Sequence, residues 1–228
     1  MIYELRTYQA GGGRMAEMEK VMASDCTAIL QRAKVPRPLG AWHAVAGPRL
    51  PAFVWILGWN SLDERNAAWA AFGADAEWQK LRREAHAKTE LPARVDTQFM
   101  AAWPEPALAK EADLSPPGGV CQLVLQRVHT GQGGAARQAY LAEDRAALEE
   151  AGGKLVAAFD LLSGDHLPVI AAVVRWADAG ASAAGMSAYD SHPQVHAARA
   201  AEREKLGFDL FGASDRFLML SSPPFGKN

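Results

Sequence analysis

Leu50-Pro51-Ala52-Phe53-Val54-Trp55-Ile56-Leu57-Gly58-Trp59 returns 117 positions later as Leu167-Pro168-Val169-Ile170-Ala171-Ala172-Val173-Val174-Arg175-Trp176. Each stretch opens on Leu-Pro and closes on Trp. Each carries almost no polar side chain, the mark of a strand buried on both faces. The same offset pairs Trp42 with Phe159, Gly47 with Gly164, Phe72 with Tyr189 and Arg82 with Arg199. Near the ends the offset drifts, so that Asp96, Met100 and Pro104 match Asp215, Met219 and Pro223 at 119. One module is written twice.

Outward from that strand the first copy reads in sequence. Ile2 to Tyr8 alternates as a strand and ends at Gly11-Gly12-Gly13. Met15, Met18, Met22, Cys26 and Ile29 form a helical stripe, stopped by Pro36 and Pro38. Leu39 to Ala46 reads as a second strand and Phe53 to Trp59 as a third. Ser61 with Glu64 three residues on is a capping box that opens a helix. That helix breaks at Gly73, and Asp75 caps a further helical stretch. Val95 to Trp103 is a fourth strand. The second copy repeats the order, with a helix from Ala179 to Leu206 broken around Pro193.

The order β-α-β-β-α-β is the ferredoxin-like arrangement, with helices on one face of a four-stranded sheet. The other face is left bare and apolar. The expected fold is therefore α+β: two tandem ferredoxin-like modules packed sheet to sheet as an α/β barrel within one chain. The expected boundaries are residues 1–104, a Pro- and Gly-rich linker over 105–118, and a second module over 119–228.

Composition narrows the function classes. At 228 residues and 49% hydrophobic content the chain is that of a globular protein. A net charge of −2 with both signs mixed marks no nucleic-acid face. The two cysteines, one per half at non-equivalent positions, form no disulfide framework. The longest apolar run is too short to span a membrane, and no leader is visible before the first strand. A cytoplasmic protein is expected, acting as a pseudo-dimer within the chain, with room for a further homodimer.

The opening Ile2-Tyr3-Glu4-Leu5-Arg6-Thr7-Tyr8 with its glycine turn, the strand end Trp59-Asn60-Ser61-Leu62-Asp63-Glu64-Arg65 and the segment Asp75-Ala76-Glu77-Trp78-Gln79 resemble the NIPSNAP family. The resemblance covers residues 2 to 103 and reaches the second half only through the repeat. It implies the dimeric α/β-barrel fold, which cofactor-free monooxygenases, haem-handling enzymes and stress-response proteins share. It implies no agreed activity, since NIPSNAP proteins have none. Members commonly carry a His in the third strand where this chain has Trp55.

Alternation places Glu4, Arg6 and Tyr8 on one face of a central strand, where charge is costly unless paired. One reading is a pocket between the two sheets, with Arg6 clamping an anionic or carbonyl group and Glu4 or His43 moving protons. Tyr8, Trp42 and Trp55 would line it. The other reading is a self-satisfied ion pair. The glutamate and arginine are lost in the second module, where Gln122 and Val124 stand. His192 and His196 lie four apart but have Pro193 between them and no third ligand, so no metal is expected. No phosphate-loop, Ser-elbow or zinc-protease motif occurs, and no cofactor is expected. The expected function is binding of a small organic ligand in a barrel cavity, with room for cofactor-independent monooxygenase- or isomerase-like turnover. The alternative is a non-enzymatic scaffold that binds another protein through its outer helices.

Overall fold

A computed structural model describes residues 1–85, 91–109 and 112–222. Pro223 therefore lies outside the described residues. The first half contains β1 (Ile2–Gln9), α1 (Met15–Lys20), α2 (Thr27–Arg32), β2 (Gly40–Ala46), β3 (Ala52–Trp59), α3 (Leu62–Ala74), α4 (Ala76–Ala85) and β4 (Arg94–Ala102). The second contains β5 (Val120–Val128), α5 (Gly133–Ala139), α6 (Arg145–Glu150), β6 (Lys154–Leu161), β7 (Val169–Trp176), α7 (Ala179–Asp190), α8 (Pro193–Leu206) and β8 (Phe211–Ser221). In both halves one turn of π-helix joins the first two helices, Val21–Asp25 and Tyr140–Asp144.

Local chemistry sets the helix starts. The Ser61 hydroxyl accepts from the Glu64 amide, and the Glu64 carboxylate accepts from the Asn60 amide. Asp75 accepts from the amides of Glu77 and Trp78, and Asp178 from that of Ala181. Each cap satisfies amides that the first helical turn leaves unpaired. The break expected at Gly73 falls two residues later, because the Asp75 cap and not the glycine ends α3.

Among the described residues eight antiparallel strands close a barrel in the order β1-β3-β2-β8-β5-β7-β6-β4. Each half supplies four neighbouring strands. The seams are β2 with β8 and β4 with β6, and β1 pairs with β4 to complete the ring. Closure leaves no unpaired sheet edge.

Three apolar cores follow. The barrel interior joins side chains from both halves, including Tyr3, Leu5, Trp42, Met100, Phe159 and Phe217. A second core lies between β1–β3 and the helices of the first half, a third in the matching layer of the second half. The segment after β4 belongs to the barrel as well. Leu114 is buried in the interior core, its amide donates to the Leu39 carbonyl at 2.6 Å, and Ser115 accepts from the Ala41 amide at 3.0 Å. What composition marks as linker is, over these residues, a plug against the barrel. Cys26 and Cys121 are free and buried, and burial pushes the Cys26 thiol up to about 12.

Candidate functional site

Glu4 is fully buried, and alternation along β1 decides what it meets. Tyr3 and Leu5 point into the barrel, while Tyr8 points into the helix layer of the first half. Glu4 and Arg6 share the Tyr8 side. One Glu4 carboxylate oxygen, Oε1, accepts from Arg6 Nη1 at 2.7 Å and from Arg65 Nη2 at 2.8 Å. The other, Oε2, accepts from the indole N–H groups of Trp59 at 2.8 Å and Trp69 at 3.2 Å. The Arg6 guanidinium also donates to the Tyr8 hydroxyl at 3.0 Å and lies 4.3 Å over the Trp69 ring. Trp55 meets Tyr8 and Trp69 edge to face.

The electrostatics follow from this cage. Burial alone would raise the Glu4 pKa. The hydrogen bond from Arg65, the charge and hydrogen bond of Arg6 and the bond from Trp69 outweigh it, so the carboxyl is held below its ordinary value. Burial raises the Tyr8 phenol despite Arg6. The structure thus brings Glu4, Arg6, Tyr8 and Trp55 together, but it corrects the expectation that they face the partner sheet. They look outward, toward α3, because their strand positions have the parity opposite to Tyr3 and Leu5.

The other two sequence candidates stand apart. Trp42 fills the barrel interior and is fully buried. His43, the next residue on β2, points to the opposite face, where its Nδ1 lies 2.9 Å from the Glu19 carboxylate on α1. Ser222 donates to the same Glu19 oxygen at 2.6 Å. A carboxylate on Nδ1 orients an imidazole and leaves Nε2 for proton transfer. Ser222 is not bonded to the imidazole, so the trio is not a nucleophilic relay.

Sequence reasoning missed the open space. The packed interior of the barrel gives way at one end to a pocket of about 480 Å³. It is walled by strand ends from both halves and by the two repeated loops that lead into Leu50-Pro51 and Leu167-Pro168. Its floor is apolar, formed by Leu125, Leu161, Val169 and Phe217. Thr7, Asp96 and Gln98 make the facing wall. Arg49 and Arg94 both pair with Asp96, at 3.0 and 2.9 Å. Arg127, His166, Asp165 and Asp215 complete the rim. The side chains of Thr7 and Gln98 make no hydrogen bond among the described residues. The signal was present in the repeat: Asp96 and Asp215 were matched as repeats, and Arg49 and His166 occupy equivalent loop positions with φ of 60° and 61°.

Among the described residues no group of three or more His, Cys, Asp or Glu could hold a metal ion. His192 and His196 turn to different partners, the Glu150 carboxylate and the Asp190 carbonyl. No helix among the described residues is long and apolar enough to cross a membrane.

Fold and site together define an α/β barrel of the dimeric ferredoxin-like type, closed within a single chain. Residues 3–103 match the NIPSNAP family model. An anthrone oxidase-like protein of known structure is 14% identical, with a TM-score of 0.59, over 99% of this chain and 94% of its own. A candidate monooxygenase from Fusobacterium nucleatum is 9% identical, with a TM-score of 0.58, over 100% of this chain and 94% of its own. A NIPSNAP family protein from Agrobacterium tumefaciens is 22% identical over 47% of this chain and 98% of its own, with a TM-score of 0.42. The two whole-chain likenesses establish a shared fold. No curated protein matches the sequence.

Proposed function

We propose that the chain binds a small amphipathic organic molecule at the mouth of its barrel, between the two Leu-Pro loops. The observation that carries this is the mouth pocket, large enough for a small ligand and lined from both halves. Its two walls differ in chemistry. At the first strand's offset of 118 Thr7 stands where the second copy has Leu125, and at the offset of 119 that aligns Asp96 with Asp215 Gln98 stands where it has Phe217. The first module, residues 1–104, thus offers hydrogen bonds, and the second, residues 119–228, offers apolar surface. A ligand with one apolar and one polar side satisfies both walls at once.

In this reading Glu4, Arg6 and Tyr8 frame the first module and Trp42 and Trp55 pack it, and none of them touches the ligand. His43, held by Glu19 on the opposite face of its strand, does not line the mouth either. Names that the fold neighbours carry, an anthrone oxidase-like protein and a candidate monooxygenase, belong to those proteins. They make turnover of an aromatic ligand worth assaying here.

The test is a methyl NMR titration of the full chain with 4-hydroxybenzoate and with hexanoate. Leu125, Leu161 and Val169 methyls should shift together and saturate. Gln98→Leu should weaken the polar-headed probe by about threefold to tenfold, the range for one lost hydrogen bond. Shifts confined to the helix layers would refute a mouth site.

A further inference from the structure

The second module differs from the first where its first two helices meet α7 and α8. At the offset of 118 that aligns the buried positions of these helices, Met22 becomes Tyr140 and Cys26 becomes Asp144. At 117, Phe72 becomes Tyr189 and Trp78 becomes Val195. In the first module this space is packed: Met22, Cys26 and Phe72 are buried in one core, and the Trp78 ring lies 4.4 Å from that of Phe72. In the second module the shrinkage from Trp78 to Val195 opens a separate pocket of about 350 Å³.

Its lining is a built polar site. Asp144, only 3% exposed, accepts from the Tyr189 hydroxyl and from Arg199. The Arg199 guanidinium also bonds Glu202 at 2.9 Å and lies 4.1 Å over the Phe211 ring. Tyr140 lines the same pocket and is 4% exposed, yet its hydroxyl has no hydrogen-bond partner among the described residues. That hydroxyl is free to donate to a ligand acceptor in the pocket.

Charge decides the class of ligand. Each cation at the pocket is already matched: Arg199 by Asp144 and Glu202, and Arg203 by Asp209, with Nε to Oδ1 at 2.6 Å. Arg216, close by, is paired with Asp190 at 2.7 Å. An incoming carboxylate would have to break one of these pairs. An uncharged acceptor needs only the Tyr140 O–H, and Val195, Leu210 and Phe211 can hold a compact apolar body. Burial raises the phenol pKa, which keeps that proton in place at neutral pH.

We infer that the second module carries its own ligand site, which takes a small neutral carbonyl compound with its oxygen accepting from Tyr140. This site is independent of the barrel mouth and stands or falls separately from it.

The chain has four tyrosines, Tyr3, Tyr8, Tyr140 and Tyr189, so tyrosine ring-carbon labelling yields a spectrum in which each can be followed. Titration of the full chain with cyclohexanone and with 2-pyrrolidinone should shift Tyr140 and Tyr189 saturably and leave Tyr8 in place. Tyr140→Phe should weaken binding, read from Tyr189, by about threefold to tenfold. Val195→Trp should abolish the response, because it restores the side chain that fills the first module. If that variant fails to fold, Tyr140→Phe alone decides. An unmoved Tyr140 resonance, unchanged affinity in Tyr140→Phe, or tighter binding of cyclohexanecarboxylate than of cyclohexanone would overturn the inference.

Discussion

Glu4 shows how one buried charge can look like a reactive group and be a structural hub. Its two oxygens take hydrogen bonds from two arginines and two indoles. Glu4→Gln keeps the shape but leaves Arg6 and Arg65 without their counter-charge. Breaking a buried pair by removing one partner costs about 3–5 kcal/mol. Urea unfolding of the variant at neutral pH should show a loss of that order. Acid should act through the same residue. The folded carboxyl is held below its ordinary 4.5, so the unfolded chain takes up the proton first as pH falls. The Glu4 contribution is whole above the ordinary value and is lost as pH drops through the lower folded one. The variant should therefore show a shallower fall of stability with acidification below about pH 4.5 than the parent. Equal slopes would mean that Glu4 is not the ionised hub described.

Among the elements, the repeated β2–β3 and β6–β7 hairpins do the most to shape the mouth. Gly47 and Gly164 sit at φ of +132° and +130°, a region that side chains rarely adopt. They differ in what a methyl group would meet. At Gly47 it would lie 2.8 Å from the Arg216 carbonyl oxygen, which is backbone and cannot yield. At Gly164 it would lie 2.7 Å from the Gln98 amide, the end of a flexible side chain. Both alanine variants should destabilise by more than about 1 kcal/mol, Gly47→Ala by the larger amount in thermal unfolding. Gly164→Ala should also weaken ligand binding at the mouth, since it displaces Gln98. The elements themselves were legible in the sequence: the buried strands from their apolar runs, the caps at Ser61 and Asp75 from their side chains. The facing of Glu4 and Arg6 was not. Alternation says which residues share a face but not which face the helices cover, and that is settled only when the sheet is assembled.

At the scale of the whole molecule, duplication turns a two-chain architecture into a single ring of strands whose two walls can evolve apart. The repeat made the barrel legible in advance, because a module with one bare apolar sheet face needs a copy of itself. It matched Asp96 with Asp215 and Arg49 with His166 but could not show that they meet at one pocket, because its residues are scattered over separate strands and loops. Nor could it show that the Pro-rich segment around Leu114 plugs the barrel, since its composition is that of a connector. The divergence of Thr7 from Leu125 and of Gln98 from Phe217 gives the mouth one polar and one apolar side, and that asymmetry is the core of the functional account. A crystal structure of the full chain soaked with 4-hydroxybenzoate tests it most directly. The account predicts density at the barrel mouth, with the ring against Leu161, Val169 and Phe217 and a polar group within hydrogen-bond distance of Thr7 or Gln98. Density lodged instead beside Glu4 and Arg6 in the helix layer, with the mouth holding only water, would contradict it.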